Sequence, residues 1–140
     1  MILFVDDEAR WVDSLVRELT EKYEVSFYRD VDSAWQCFEE FPDDIELLIL
    51  DIMMPPGNVF KEFDTDEGRR TGIFFYEKVR DREPWLPVII LTNVSDEEVI
   101  HRFRTEKNCW LFEKTDYLPY QIVQEVDQIL TPPEIHTQVQ

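Results

Sequence analysis

Residues 47–57 read Leu47-Leu48-Ile49-Leu50-Asp51-Ile52-Met53-Met54-Pro55-Pro56-Gly57. Four aliphatic residues, stopped by a carboxylate and then by turn-forming Pro-Pro-Gly, are the pattern of a strand buried in a parallel sheet. The carboxylate is the informative member. Open α/β sheets bind their ligands outside the carboxyl ends of the strands, and Asp51 stands at such an end. A second aliphatic run, Ile2-Leu3-Phe4-Val5, ends in Asp6 and Asp7. Acids gathered at one edge of a sheet require a cation among them.

Outward from this strand, apolar runs and helical patterns alternate. Helical spacing of Trp11, Val12, Leu15, Val16 and Leu19 predicts a helix after the first strand. Glu24 to Tyr28 reads as a strand. Ala34, Trp35, Phe38 and Phe41 mark the next helix, with Asp30 or Asp32 as its cap and Pro42 as its break. After residue 57 the chain is irregular until a helix opening near Gly72. Val88-Ile89-Ile90-Leu91 is the fourth strand, ending at Thr92. Ser95 with Glu98 has the form of a capping box. Cys109 to Phe112 is the fifth strand, followed by Glu113 and Lys114, and Pro119 suits the first turn of a last helix. Strict alternation of this kind predicts a parallel sheet covered by helices on both faces. One domain is expected over residues 1–130, with 131–140 as a tail.

Bulk properties narrow the function. A net charge of −17 argues against nucleic acid as a direct partner, and no basic patch offsets it. Cys37 and Cys109, far apart in apolar surroundings, read as buried thiols rather than a disulfide or a metal pair. No apolar stretch reaches the roughly 18 residues of a membrane helix, and no secretory signal precedes the first strand. The expected location is cytoplasmic, without membrane contact.

The strand ends make an inventory for phosphoryl transfer. Asp6, Asp7 and Asp51 form a hard oxygen site of the kind Mg²⁺ prefers. Thr92 supplies a hydroxyl and Lys114 a mobile cation, and a carboxylate is available to attack phosphorus. Singly, each has a plainer reading: Asp6 and Asp7 as acids favoured before a helix, Thr92 as a strand-end cap, Lys114 as a solvated lysine. Their joint placement favours the site. Asp64-Thr65-Asp66-Glu67-Gly68 lacks the spacing of a calcium loop. His101 and His136 have no partner suggesting catalysis.

Val5-Asp6-Asp7-Glu8, Leu50-Asp51-Ile52-Met53-Met54-Pro55, Leu91-Thr92 and Glu113-Lys114, in this order, resemble the receiver domains of two-component response regulators. The resemblance spans about residues 1–130. It implies a flavodoxin-like (βα)5 fold with strand order 2-1-3-4-5. It also implies Asp51 as phosphoacceptor, and a Mg²⁺ site of Asp6, Asp7, Asp51 and the Met53 backbone carbonyl, with Asp7 the more direct ligand. Thr92 would follow the phosphoryl group and Lys114 would bind it. The donor would be a sensor histidine kinase or phosphotransfer protein. Output would pass to a protein partner across the fourth helix, fifth strand and fifth helix, since a stand-alone receiver leaves no room for an output module.

Three features depart from the family pattern. The segment after Asp51 carries about a dozen extra residues, and loops of this length are usually functional; residues 57–71 are expected to form a lid or docking element. Thr115 follows Lys114 where receivers carry a proline in a cis peptide, so a trans bond is expected. Leu111 stands where the family places its switch aromatic, with Trp110 and Phe112 directed to the opposite face, and Asn93 replaces a small residue. Met53 and Val94, two residues beyond Asp51 and Thr92, orient no water strongly, which predicts a long-lived acyl phosphate. Two readings from other classes stand beside this one. A phosphate-independent interaction module would share the fold. A haloacid dehalogenase-type phosphohydrolase would need an aspartate where Met53 stands.

Overall fold

The computed structural model describes residues 1–8 and 10–131. Five strands alternate with five helices: β1 (Ile2–Val5), α1 (Arg10–Thr20), β2 (Val25–Tyr28), α2 (Val31–Glu40), β3 (Leu47–Leu50), α3 (Thr71–Arg82), β4 (Val88–Thr92), α4 (Glu97–Thr105), β5 (Cys109–Glu113) and α5 (Pro119–Leu130). All strand pairs are parallel, in the order β2-β1-β3-β4-β5. This is the flavodoxin-like arrangement expected from the alternation and the family resemblance. Beyond Thr131, the expected tail and its His136 lie outside the described residues.

Alternation along each strand sorts the core into two layers. Leu3, Val5, Leu48, Leu50, Val88 and Ile90 point toward α2, α3 and α4. Ile2, Phe4, Leu47, Ile49, Ile89 and Leu91 point toward α1 and α5. The period of two assigns neighbours to opposite faces, which is why central strands covered on both sides read as unbroken aliphatic runs. Leu111 faces the first layer, while Trp110 and Phe112 face the second, as strand alternation predicts.

One helix start differs from its sequence signal, and another resolves between two candidates. Asp96, not Ser95, caps α4, its carboxylate accepting from the amides of Glu98 at 2.9 Å and Val99 at 3.4 Å. Asp at this position places a full charge against the helix N-terminus, which a serine hydroxyl does not. Asp30 caps α2 through the Ser33 amide at 2.7 Å. Asp32 is thereby free to reach outside its own helix, and it accepts from the amides of Asn58 and Val59, the latter at 2.8 Å.

That contact anchors the long β3–α3 connection. Phe60 is fully buried and packs against Phe63, Phe74 and Phe75. At its far end the connection returns to β3, where the Met54 amide donates to the Gly68 carbonyl at 3.0 Å. Gly68 has φ +88, and a Cβ there would lie 2.8 Å from the Met54 carbonyl oxygen. The insertion is a folded element, held to α2 at one end and beside Asp51 at the other.

Candidate functional site

The strand register brings the site together before any side chain is considered. Val5 pairs with Leu50, so Asp6 and Asp51 follow side by side on adjacent strands, about 4.8 Å apart in the pairing direction. Ile90 pairs with both Leu50 and Leu111, which sets Thr92 on the neighbouring strand one residue beyond the level of Asp51, and Lys114 one strand farther out. Only a long side chain spans that last gap, and a lysine does so.

Lys114 is 3% exposed, and its Nζ lies 2.8 Å from Asp6 Oδ2, 2.9 Å from Glu8 Oε2 and 3.4 Å from Asp51 Oδ2. It opens a short 3₁₀ turn, Lys114–Asp116. No described peptide bond is cis, so Lys114–Thr115 is trans as expected. The ammonium reaches the carboxylates with threonine in place of proline.

Asp6 is fully buried and Asp51 nearly so. One Asp51 oxygen accepts from the Ile52 amide at 2.7 Å. Asp6 Oδ1 accepts from the Glu8 amide at 2.9 Å, and Oδ2, though ion-paired to Lys114, lacks a well-directed hydrogen bond. Burial, reinforced by the Asp51 charge, pushes the Asp6 carboxyl up to about 7 against the pull of Lys114. Burial also raises Asp51, while Lys114, the Ile52 amide and Thr92 favour its charged form. For Lys114, burial disfavours the charge, but Asp51 and Asp6 outweigh it and hold the ammonium above lysine's ordinary range.

Oxygens of Asp6, Glu8 and Asp51 all lie within 4.8 Å of one another. Three hard donors, one of them a buried oxygen short of a partner, fit a small divalent cation of the Mg²⁺ type. Asp7 lies outside that trio. It is exposed and lines the cavity of about 360 Å³ that Glu8, Asp51, Met53, Thr92 and Asn93 also line. Glu8 is the residue that sequence reasoning left unassigned. Its signal was the unbroken run Asp6-Asp7-Glu8, of which only the first two were given a role. Asn93 enters here too, its amide donating to Glu8 Oε2 at 3.1 Å. Thr92 is fully buried, and its hydroxyl accepts from the Val94 amide at 3.1 Å.

The start of α3 sets the floor. A Cβ on Gly72 would lie 2.1 Å from the Asp51 carbonyl oxygen, and the Gly72 amide donates to Ile52 at 2.8 Å. A larger residue there would move the helix off the strand end that carries Asp51.

Comparison with known proteins follows the same lines. The family model for the response regulator receiver domain matches residues 2–108, ending just before β5. Among solved structures, the receiver domain of the hybrid histidine kinase CckA is 25% identical, covering 93% of this chain and 98% of that one, with a TM-score of 0.67. The non-phosphorylated HemR receiver domain from Leptospira biflexa is 21% identical over 94% and 96% of the two chains, with a TM-score of 0.71. Chemotaxis protein CheY4 from Vibrio cholerae is 20% identical over 92% and 97%, with a TM-score of 0.70. The latter two likenesses are of fold alone. No curated protein matches the chain. No helix among the described residues is long and apolar enough to cross a membrane.

Proposed function

The chain belongs to the response regulator receiver domain family, whose members are not enzymes in the ordinary sense and pair with histidine kinases; on that premise we propose that it takes a phosphoryl group on Asp51 and signals through a protein partner. The observation that carries this reading is the buried Lys114 ammonium among Asp6, Glu8 and Asp51. The ammonium offsets part of the acids' charge at the strand end and can exchange one of its carboxylate partners for a phosphoryl oxygen.

In this reading an Asp51 carboxylate oxygen attacks phosphorus. The new O–P bond forms as the bond from phosphorus to the donor breaks, and its electron pair leaves with the donor. The donor is a phosphohistidine of a sensor kinase or phosphotransfer protein, or a small acyl phosphate. Lys114 exchanges part of its pairing with the carboxylates for a phosphoryl oxygen, and the Thr92 hydroxyl turns to donate to another. Asp6, Glu8 and Asp51 would hold Mg²⁺, with Asp7 and the Met53 carbonyl as further ligands. Bound there, the metal supplies charge neutralisation and orientation at the phosphoryl oxygens.

Acetyl phosphate with Mg²⁺ is expected to label the wild-type chain with one phosphoryl group and to leave Asp51→Asn unlabelled. Equal labelling of both would remove Asp51 as acceptor. A specific observation favours a second reading: the family match stops before β5, and Leu111 in that strand and Thr115 just after it depart from the pattern. A chain that never labels but still binds its partner would be a phosphate-independent interaction module.

The lifetime of the phosphoprotein follows from its neighbours. Met53 is half exposed at the cavity and Val94 lies beside it, and neither side chain holds a water by a strong hydrogen bond. Self-dephosphorylation is expected to take minutes or longer, and Met53→Asn to shorten it. Decay within seconds, unaltered by that substitution, would contradict the expectation.

A further inference from the structure

A second cavity adjoins the phosphoacceptor cavity. This neighbour, about 260 Å³, lies between the end of the β3–α3 insertion and the β4–α4 loop. It shares Met53 and Asn93 with the first cavity, so the two lie side by side. Its charged lining is Asp66, Arg69, Arg70 and Asp96. Most of these charges are engaged. Asp96 is held by the amides that start α4. Asp66 pairs with Arg69 at 3.2 Å, and Glu67 adds a contact to the same guanidinium at 4.0 Å. Arg70 is exposed and makes no ion pair among the described residues. It is the uncompensated cation of this cavity.

The backbone that presents it is held in place. The Arg70 amide donates to the Thr65 carbonyl at 2.9 Å, and two residues later Gly72 is bonded to Ile52. Asp66 and Glu67 sit at φ 53 and 55, a left-handed turn that non-glycine residues rarely adopt. The insertion thus holds an unusual backbone course that returns the chain to the mouth of the site and leaves an arginine there.

A phosphodonor faces an electrostatic obstacle. It brings a multiply charged anion to a chain of net charge −17, into a cavity lined by Asp7, Glu8 and Asp51. Lys114, the nearest cation, is buried and already shared among three carboxylates. We infer that Arg70, presented by the β3–α3 insertion beside the phosphoacceptor cavity, is a positioning residue that captures the phosphoryl group of an anionic donor on its way to Asp51. The inference deepens the phosphoacceptor reading and rests on it.

The test is the rate of wild-type, Arg70→Gln and Arg70→Lys labelling by acetyl phosphate with Mg²⁺, followed across donor and salt concentration. In Arg70→Gln the dependence of rate on donor concentration is expected to fall by about two- to fivefold, the scale of one exposed charge interaction. Its response to added salt is expected to flatten, because screening then has one fewer attraction to weaken. Arg70→Lys retains the charge and is expected to recover most of the rate, which a loss through misfolding would not allow. Labelling of Arg70→Gln with wild-type rate and salt dependence would overturn the role of Arg70 and leave the phosphoacceptor reading intact. Failure of the wild-type chain to label would remove both.

Discussion

Asp6 shows how one residue links burial to chemistry. Its carboxyl titrates near 7 in the folded chain against an ordinary value of 3.8. Between those values the folded chain retains a proton that the unfolded chain has released. Stability conferred by the protonated form is therefore present below about pH 4 and lost as pH rises through 7. Without metal, Asp6→Asn is expected to raise stability above pH 7, on the order of 1–3 kcal/mol, and to change little near pH 4. Lys114 keeps Glu8 and Asp51 as partners in that variant. Denaturant titrations at both pH values check this, and equal effects at the two would contradict it. The same burial that destabilises the metal-free site leaves Asp6 Oδ2 short of a hydrogen bond and ready for a cation.

Individual elements are joined by side chains whose role no periodicity reveals. Arg80 on α3 donates to the carbonyls of Glu83, Leu86, Lys107 and Asn108 and to the Tyr76 hydroxyl, with its guanidinium over the Tyr76 ring. It ties the end of α3 to the chain entering β4 and β5. Arg80→Ala is expected to cost about 2–3 kcal/mol in urea unfolding, because several carbonyls lose a charged donor together; a loss below about 0.5 kcal/mol, the scale of an ordinary surface change, would show the contacts to be incidental. In the sequence Arg80 is one more charged residue on a helix. The strands, by contrast, were legible because burial on both faces requires aliphatic runs, as at Leu47–Leu50 and Val88–Leu91. Asp51, Asp6 and Thr92 were legible for the same reason, since each follows such a run; Lys114 is separated by Glu113 from the mixed apolar run Cys109–Phe112. Glu8 and Arg70 were not, because their positions depend on how loops turn back. For the α2 cap the sequence leaves Asp30 and Asp32 open; Asp30 takes it, and the use of Asp32 in anchoring residues 58–59 depends on tertiary contact that no local signal carries.

At the scale of the whole molecule, charge and topology work together. The parallel sheet collects its acids at one edge, and the surface as a whole is strongly negative. Self-repulsion of this size weakens the compact state and is screened by salt. The melting temperature is expected to rise between about 0.02 and about 0.5 M KCl; a fall would mean that the ion pairs, such as Lys22–Asp127 and Arg102–Glu77, outweigh the repulsion. On the proposed reading, this acidic edge serves to place a phosphoryl group on Asp51. Reductive trapping tests it most directly, because borohydride converts an aspartyl phosphate to homoserine at the residue that carried it. After treatment with acetyl phosphate and Mg²⁺, homoserine is expected at position 51, and none when Mg²⁺ is withheld. Homoserine at another carboxylate, or none at all, would contradict it.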